Sequence, residues 1–332
     1  MTRPATRAGA IAAGAIIASA ALTALHLLTG TPALTPSEIL AGFAAPPEDS
    51  AHIIVAHIRA PRIVLALAAG AALALAGALL QDALRNPLAA PELLGVSGGA
   101  ALIVALIAIA HVPVPRAATP LAALLGALGI GAAVISAGSR ARESASLLLI
   151  GVAAATFLSG SVIAVITLGN PSDVGLFYQF LLGSLANRSW DAVTTVAPLL
   201  ALAAPLALAL APSLNVLRLG DTTAAGLGVR VRAVRLTALV CAAALTAGVV
   251  AVAGPIGFVA LLAPHIARAL LATHDARWVL PTAAAIGATL LLGADTLGRA
   301  LLAPREVAVG VWTVLLGAPG LLALLRRREH HP

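Results

Sequence analysis

Residues 254–268 read Gly254-Pro255-Ile256-Gly257-Phe258-Val259-Ala260-Leu261-Leu262-Ala263-Pro264-His265-Ile266-Ala267-Arg268, with two prolines, two glycines and a histidine set between long apolar runs. Proline and glycine both disfavour an uninterrupted helix. Broken backbone at membrane depth is tolerated only where protein or a water-filled path covers it. The stretch therefore points to a transport machine and away from a passive anchor.

The surrounding chain supports that setting. Hydrophobic residues make up 60% of the 332 and charged residues only 10%, against about 25% charged in a soluble domain. Apolar runs of the roughly 20 residues needed to cross a bilayer recur along the whole length. A single membrane domain over 1–332 is expected. All 20 basic residues are arginine. Without lysine there is no phosphate-binding P-loop and no Schiff-base chemistry. Cys241 is the only cysteine, so an internal disulfide or a cysteine metal cluster is excluded. The net charge of +7 sits on arginines in short loops, where it sets membrane orientation; nucleic acid is not an expected partner.

Segments bounded by Pro, Gly or charge predict spans at 8–29, 62–82, 93–111, 118–138, 147–168, 191–211, 234–253, 256–271, 279–298 and 307–325. The first follows Arg3 and Arg7 and is expected to be an uncleaved helix, not a signal peptide. Ten spans leave both termini on one side. With those termini cytoplasmic, only Arg59, Arg62, Arg116, Arg188, Arg299 and Arg305 face outward, and the other fourteen of the 20 arginines face inward. That bias fits the positive-inside rule. The outer connection at 169–190 suggests a short surface helix around Phe177–Leu181, and 213–233 is the largest cytoplasmic connection.

Five segments resemble the permease subunits of ATP-binding-cassette importers for iron–siderophore complexes, haem and cobalamin (the FecCD type, type II importers). They are Arg59-Ala60-Pro61-Arg62 leading into Ala69 to Gly77; Asn86-Pro87-Leu88-Ala89-Ala90-Pro91 followed by Leu94 to Ala100; Leu219-Gly220-Asp221 through Gly228; the opening motif; and Gly310-Val311-Trp312-Thr313 with Leu316-Gly317-Ala318-Pro319. The resemblance implies an all-α integral membrane fold like that of the cobalamin-importer permease, with about ten transmembrane helices per subunit. It implies a homodimer in the bacterial inner membrane, a cytoplasmic ATP-binding subunit dimer and an extracytoplasmic substrate-binding protein. No cofactor or metal is expected on this chain; ATP and Mg belong to the partner ATPase, so the chain is a transport subunit and not itself an enzyme.

The resemblance also assigns residues. Gly220, Asp221, Thr222, Thr223, Ala224, Ala225, Gly226, Leu227 and Gly228 match the coupling helix that docks on the ATPase. Read locally, Asp221 is expected to N-cap a short helix and Gly228 to end it in the left-handed conformation; the alternative is a plain capped turn. Arg59, Arg62 and Arg299 match arginines that engage glutamates of the binding protein. They could instead snorkel to headgroups, with Arg299 pairing Asp295 four residues away. Ser144 and Ala145 match a candidate cytoplasmic gate, or Ser144 is an ordinary N-cap. His265 is expected to make a structural hydrogen bond at the broken helix, and Gln81 and Asp82 to meet water at the inner end of the second span.

The expected function is membrane permeation of an iron–siderophore complex or related metal chelate, driven by ATP, with cobalamin and haem as alternative cargoes. An ion-gradient-driven secondary transporter is the alternative of another class. It would need buried mid-span carboxylates, and the acids here lie mostly at span ends or in loops.

Overall fold

The computed structural model describes residues 4–138 and 144–329. Its helices, in chain order, are α1 (Pro4–Leu28), α2 (Pro36–Ala44), α3 (Ser50–His52), α4 (Ala60–Ala83), α5 (Val96–Ile109), α6 (Thr119–Gly138), α7 (Ser144–Ile166), α8 (Pro171–Leu181), α9 (Trp190–Ala209), α10 (Ala211–Leu217), α11 (Asp221–Gly226), α12 (Val231–Ala253), α13 (Val259–Leu271), α14 (Ala276–Ala300) and α15 (Val309–Glu329). Among the described residues no strand occurs. Among those residues seven helices are long and apolar enough to cross a bilayer, and α5, α13 and α15 are apolar but shorter. Together they fall on the ten predicted spans. One difference is instructive: α3 runs through a π-helical turn, Ile53–Arg59, into α4, giving a continuous helix of 34 residues. The second span thus starts one turn or more before its hydropathy does, and that extension carries Arg59.

α4, α14 and α12 form the centre. α4 lies along α14, α12 and α13, while α12 also contacts α6 and α9. α1 lies along α14; α5, α6 and α7 form a second group beside α12. With lipid on the outside, little hydrophobic force drives helix against helix, so small residues that allow close packing decide the contacts. Gly70 of α4 and Gly287 of α14 face each other so closely that a Cβ on either would strike the other's carbonyl. Gly99 and Gly126 do the same for α5 and α6. At these crossings, Ala would force the helices apart.

The opening motif forms the expected break. α12 stops at Ala253, Gly254 adopts φ +74° and Phe258 adopts φ +66°, and α13 begins at Val259. α13 has 13 residues, or about 20 Å of helix, against a hydrocarbon core of about 30 Å. The irregular segment therefore lies within the packed bundle. Phe258 packs on Gly317 of α15, and the 182–184 loop closes over the break through Ser184 N–H donating to Ala253 O (2.7 Å) and Gly310 N–H to Gly183 O (3.0 Å). Pro264 deprives the Ala260 carbonyl of its helical donor, and that carbonyl points at Gly77, where no side chain intervenes. The short surface helix expected near 177–181 exists as α8, mostly exposed and anchored to the bundle by Phe177, which is buried against Ala101, Ala105 and Val162.

Candidate functional sites at the two ends of the bundle

α4 joins two polar clusters, one at each end. At its start, Arg59, Arg62 and Arg299 come together and all three are buried. Arg59 donates to the carbonyls of Leu27 and Pro32, and Arg299 to those of His26 (3.2 Å) and Thr29 (3.1 Å). The last carbonyls of a helix lack intrahelical donors and carry the negative end of its dipole. The two arginines thus cap the C-terminus of α1. Gly30, at φ +120°, lets the following loop pass over both guanidinium groups, since a Cβ there would occupy the position of Arg299 Nη2.

Arg62 holds the other half of this cluster. It forms a two-pronged pair with Asp295, Nε to Oδ2 and Nη2 to Oδ1 both at 2.8 Å, and reaches Glu306 Oε2 at 2.7 Å. Glu306 also lies 3.4 Å from Arg299 Nε. His26 meets Thr296 Oγ1 at 3.2 Å and stands 3.8 Å from Asp295. The local pairing weighed for Arg299 and Asp295 is not what forms: Asp295 takes Arg62, 233 residues away in sequence, because the α4–α14 crossing presents a planar fork to its carboxylate. Arg305, on the exposed loop after α14, stays at the surface.

At the other end α4 presents Gln81 and Asp82, each 3% exposed. The expectation that they meet water is corrected: Arg268 of α13 donates to Gln81 Oε1 (2.5 Å) and to Asp82 Oδ1 (3.1 Å), and Arg218 stands 3.5 Å from Asp82. A carboxylate drawn below the helix packing needs such a cation to stay charged. His265 makes the expected structural bond, its Nδ1 within 2.8 Å of Leu261 O in the turn that contains Pro264.

Beside this cluster stands α11. Gly220 occupies the N-cap position without a side-chain bond, and Asp221 is the first helical residue. The predicted N-cap role of Asp221 is therefore corrected: its carboxylate turns away from the helix to accept from Arg235 Nη2 at 3.0 and 3.1 Å and to pair with Arg85 at 3.1 Å. Arg235 in turn donates to Ala83 O at 3.0 Å. These bonds hold the Asp221 carboxyl below its ordinary value of 3.8, with the Arg235 hydrogen bond the largest cause. Gly228 does take the expected left-handed conformation, φ +84°. Ala224 is buried as an anchor, while Thr222, Thr223, Ala225, Gly226, Leu227 and Gly228 face outward. α11 is thus a small, smooth knob fixed to the ends of α4 and α12. Ser144 and Ala145 start α7, but their side chains lie outside the described residues, as do Arg140 and Arg142.

The profile of the FecCD transport family matches residues 16–327. The chain belongs to this family. Among similar FecCD-type proteins, the Fe(3+)-citrate import system permease protein YfmE of Bacillus subtilis is 37% identical over 84% of each chain. The hemin transport system permease protein HmuU of Yersinia pestis is 40% identical over 82% of this chain and 83% of its own. A solved inward-facing metal-chelate type ABC transporter superposes with a TM-score of 0.84 at 26% identity, covering 96% of this chain and 99% of that one. The protein is accordingly a membrane permease of the FecCD family, with the fold of the ATP-binding-cassette importers. His26, Glu306, Arg85 and Arg235 were not anticipated from sequence. Each acquires its role from partners brought in by other helices.

Proposed function

We propose that this FecCD permease passes a ferric chelate, an iron–siderophore complex in particular, through a path formed with a second copy of itself in a bacterial inner membrane. Energy comes from a separate cytoplasmic ATPase dimer that docks on α11, and cargo from an extracytoplasmic binding protein that docks at the arginine end. Both termini then lie in the cytoplasm, a reading the arginine bias supports. The observation that carries the coupling part is α11 itself: an exposed six-residue helix whose only acid is tied to α4 and α12, so that a push on it moves two helices of the centre.

The arginine end suits an acidic partner. Arg62 and Arg299 are paired with Asp295 and Glu306, Arg59 is held by backbone carbonyls, and Arg305 is exposed at the surface. Because three of these arginines are buried, a docking acid must either sense their field through Arg305 or displace Glu306 from Arg62. The ferric cargo is supported by the iron–citrate permeases among the relatives. Haem and cobalamin form the second reading, since HmuU and the cobalamin import permease BtuC of Halobacterium salinarum are comparably similar. An aromatic content of 3% offers no stacking platform for a planar macrocycle. Ion-driven transport is disfavoured because the buried acids Asp82 and Asp295 are both paired with arginine.

The test is uptake into proteoliposomes carrying the permease with its cognate ATPase and binding protein. Ferric citrate or a ferric siderophore should accumulate with ATP and should continue to do so when an ionophore abolishes ion gradients. Uptake that collapses with the gradient while ATP stays high would reject the proposal; the ligand that co-purifies with the binding protein fixes the cargo.

A further inference from the structure

The π-helical turn brings together two side chains that permeation as described above does not use. His52 and His57 are five residues apart. An α-helix turns about 100° per residue, so at that spacing the two would stand roughly 140° apart around its axis. The sequence therefore gives no sign of a pair. A π turn bonds residue i to i+5 instead and stacks such residues on one face. Across Ile53–Arg59 the chain takes the π form. The two imidazole rings stand with their centres 5.6 Å apart and their planes tilted by 59°.

One ring is already oriented. His52 Nδ1 lies 2.9 Å from the carbonyl oxygen of Gly42, in α2. A carbonyl only accepts, so Nδ1 carries the proton, and in the neutral ring Nε2 keeps its lone pair. Metal-binding histidines use this arrangement: one nitrogen donates to a carbonyl or carboxylate and the other faces the ion. Gly42 is itself fixed, because a Cβ there would strike the Ala51 carbonyl oxygen. His57 is exposed beside it. Two imidazoles on one tetrahedral ion, with metal–nitrogen bonds of about 2.0–2.1 Å, hold their ring centres roughly 5–6 Å apart. The observed separation falls within that range. Among the described residues no group of three or more His, Cys, Asp or Glu side chains is placed to hold a metal. The pair thus leaves two positions of a tetrahedral ion to water or to donor atoms arriving with a ligand.

We propose that His52 and His57 form a two-histidine site for a divalent transition-metal ion of the zinc type, to which imidazole is suited. An ion held by both rings requires the π register, since the α register would part them. Binding therefore stabilises the turn that aims Arg59 at the Leu27 carbonyl of α1. In the orientation proposed above, the site lies at the end where cargo arrives; the metal chemistry does not depend on that orientation.

The experiment uses the full permease in detergent, purified without a polyhistidine tag. His330→Ala and His331→Ala are included throughout, so that the adjacent histidines at the C-terminus cannot compete. Copper(II), which nitrogen sites bind more tightly than zinc, is the probe. Titration followed by electron paramagnetic resonance should show one tightly bound ion per chain, coupled to two nitrogens, and zinc should compete for it. His52→Ala and His57→Ala should each weaken binding at least ten-fold and leave one coupled nitrogen. His111→Ala, which removes an exposed histidine elsewhere, should change nothing. His57 is exposed, so His57→Ala is the deciding variant if His52→Ala does not accumulate. Moving the second ring by one residue, Ala56→His with His57→Ala, gives the spacing that suits an α-helix and should bind at least ten-fold more weakly than the native pair. The proposal is overturned if copper couples to a single nitrogen in the native pair, or if His57→Ala binds as tightly. It is equally overturned if the shifted pair binds as well as the native one, which would show that the π turn does not set the site.

Discussion

The two ends of α4 use the same residue types to opposite effect. At the start, arginines and acids are buried in one another and in the last carbonyls of α1, and only Glu306 and Arg305 reach the surface. At the finish, a buried Arg268–Asp82 pair supports a second layer, Asp221 with Arg85 and Arg235, on which the exposed α11 stands. One end is a closed lock on the helix packing; the other is a seat for a movable part. A charge pair withdrawn from water commits the fold to its geometry, because removing either partner strands the other. An exposed pair contributes little stability and can be remade without cost to the bundle. Position, and not composition, separates a structural pair from one suited to signalling motion.

That contrast can be broken most directly at the acids. Asp295→Ala leaves Arg62 buried with Glu306 as its one remaining partner among the described residues, and the expected loss is toward the lower end of the ~3–5 kcal/mol typical of a broken buried pair. Asp221→Ala should cost under about 1 kcal/mol, because its partners remain solvated. Thermal unfolding in detergent checks both. Adding Arg62→Met to Asp295→Ala should recover much of the loss; equal effects at Asp295 and Asp221 would erase the distinction. The same geometry warns against testing partner docking by reversing Arg62, since three acids would then meet in one buried site. Arg305→Glu is the cleaner probe of the field at that end.

A second comparison uses glycine and carries a smaller effect. Gly30 sits at φ +120° under the guanidinium of Arg299, whereas Gly226 in α11 has nothing within 4 Å of a would-be Cβ. Gly30→Ala adds backbone strain of ~1–3 kcal/mol and pushes Arg299 off the α1 carbonyls. Gly226→Ala should stay within about 1 kcal/mol of neutral, on the favourable side, because alanine favours a helix. Unfolding midpoints of the two variants should therefore move apart; a matching loss at Gly226 would mean that α11 is already packed against something more than its anchor, Ala224.

Much of the architecture was legible because hydropathy and arginine placement are local quantities. The ten apolar segments appear close to where length and composition put them, and the break at Gly254 follows from residues that cannot continue a helix. The pairings were not legible. Asp82 meets Arg268 at a separation of 186 residues and Arg62 meets Asp295 at 233, and nothing local distinguishes a span-end acid that meets water from one that meets a guanidinium on another helix. Arg59 was readable as a residue but not as a cap for α1, because the π-helical turn that aims it inward has no hydropathy signature. Asp221 misled for a related reason: Gly-Asp at the head of a short helix suggests a cap, yet Arg235, 14 residues on, competes for the same carboxylate and carries a full charge, which makes its bond stronger than a backbone N–H could.

The least stabilising of these contacts is also the one with the sharpest functional signature. Asp221→Asn removes the charge that ties α11 to Arg85 and Arg235 but keeps the side chain's size. The unfolding midpoint should hardly change, while ATP hydrolysis by the assembled importer should continue with uptake reduced, since force on α11 would no longer reach α4 and α12 directly. Protonation should mimic the substitution. Because the folded-state pKa of Asp221 is lowered from 3.8, its anchoring is present above the ordinary carboxylate range and is lost only as pH falls through the lower, folded-state value. Hydrogen exchange across 221–228, corrected for intrinsic rates, should therefore be flat from neutral pH down to about pH 5 and should rise below pH 4 in the wild type. In Asp221→Asn it should be raised at every pH with no such step. A wild-type step near pH 6, or full coupling in Asp221→Asn, would show that α11 is held by its buried Ala224 and not by its charge, and the contrast between the two ends of α4 would then rest on packing alone.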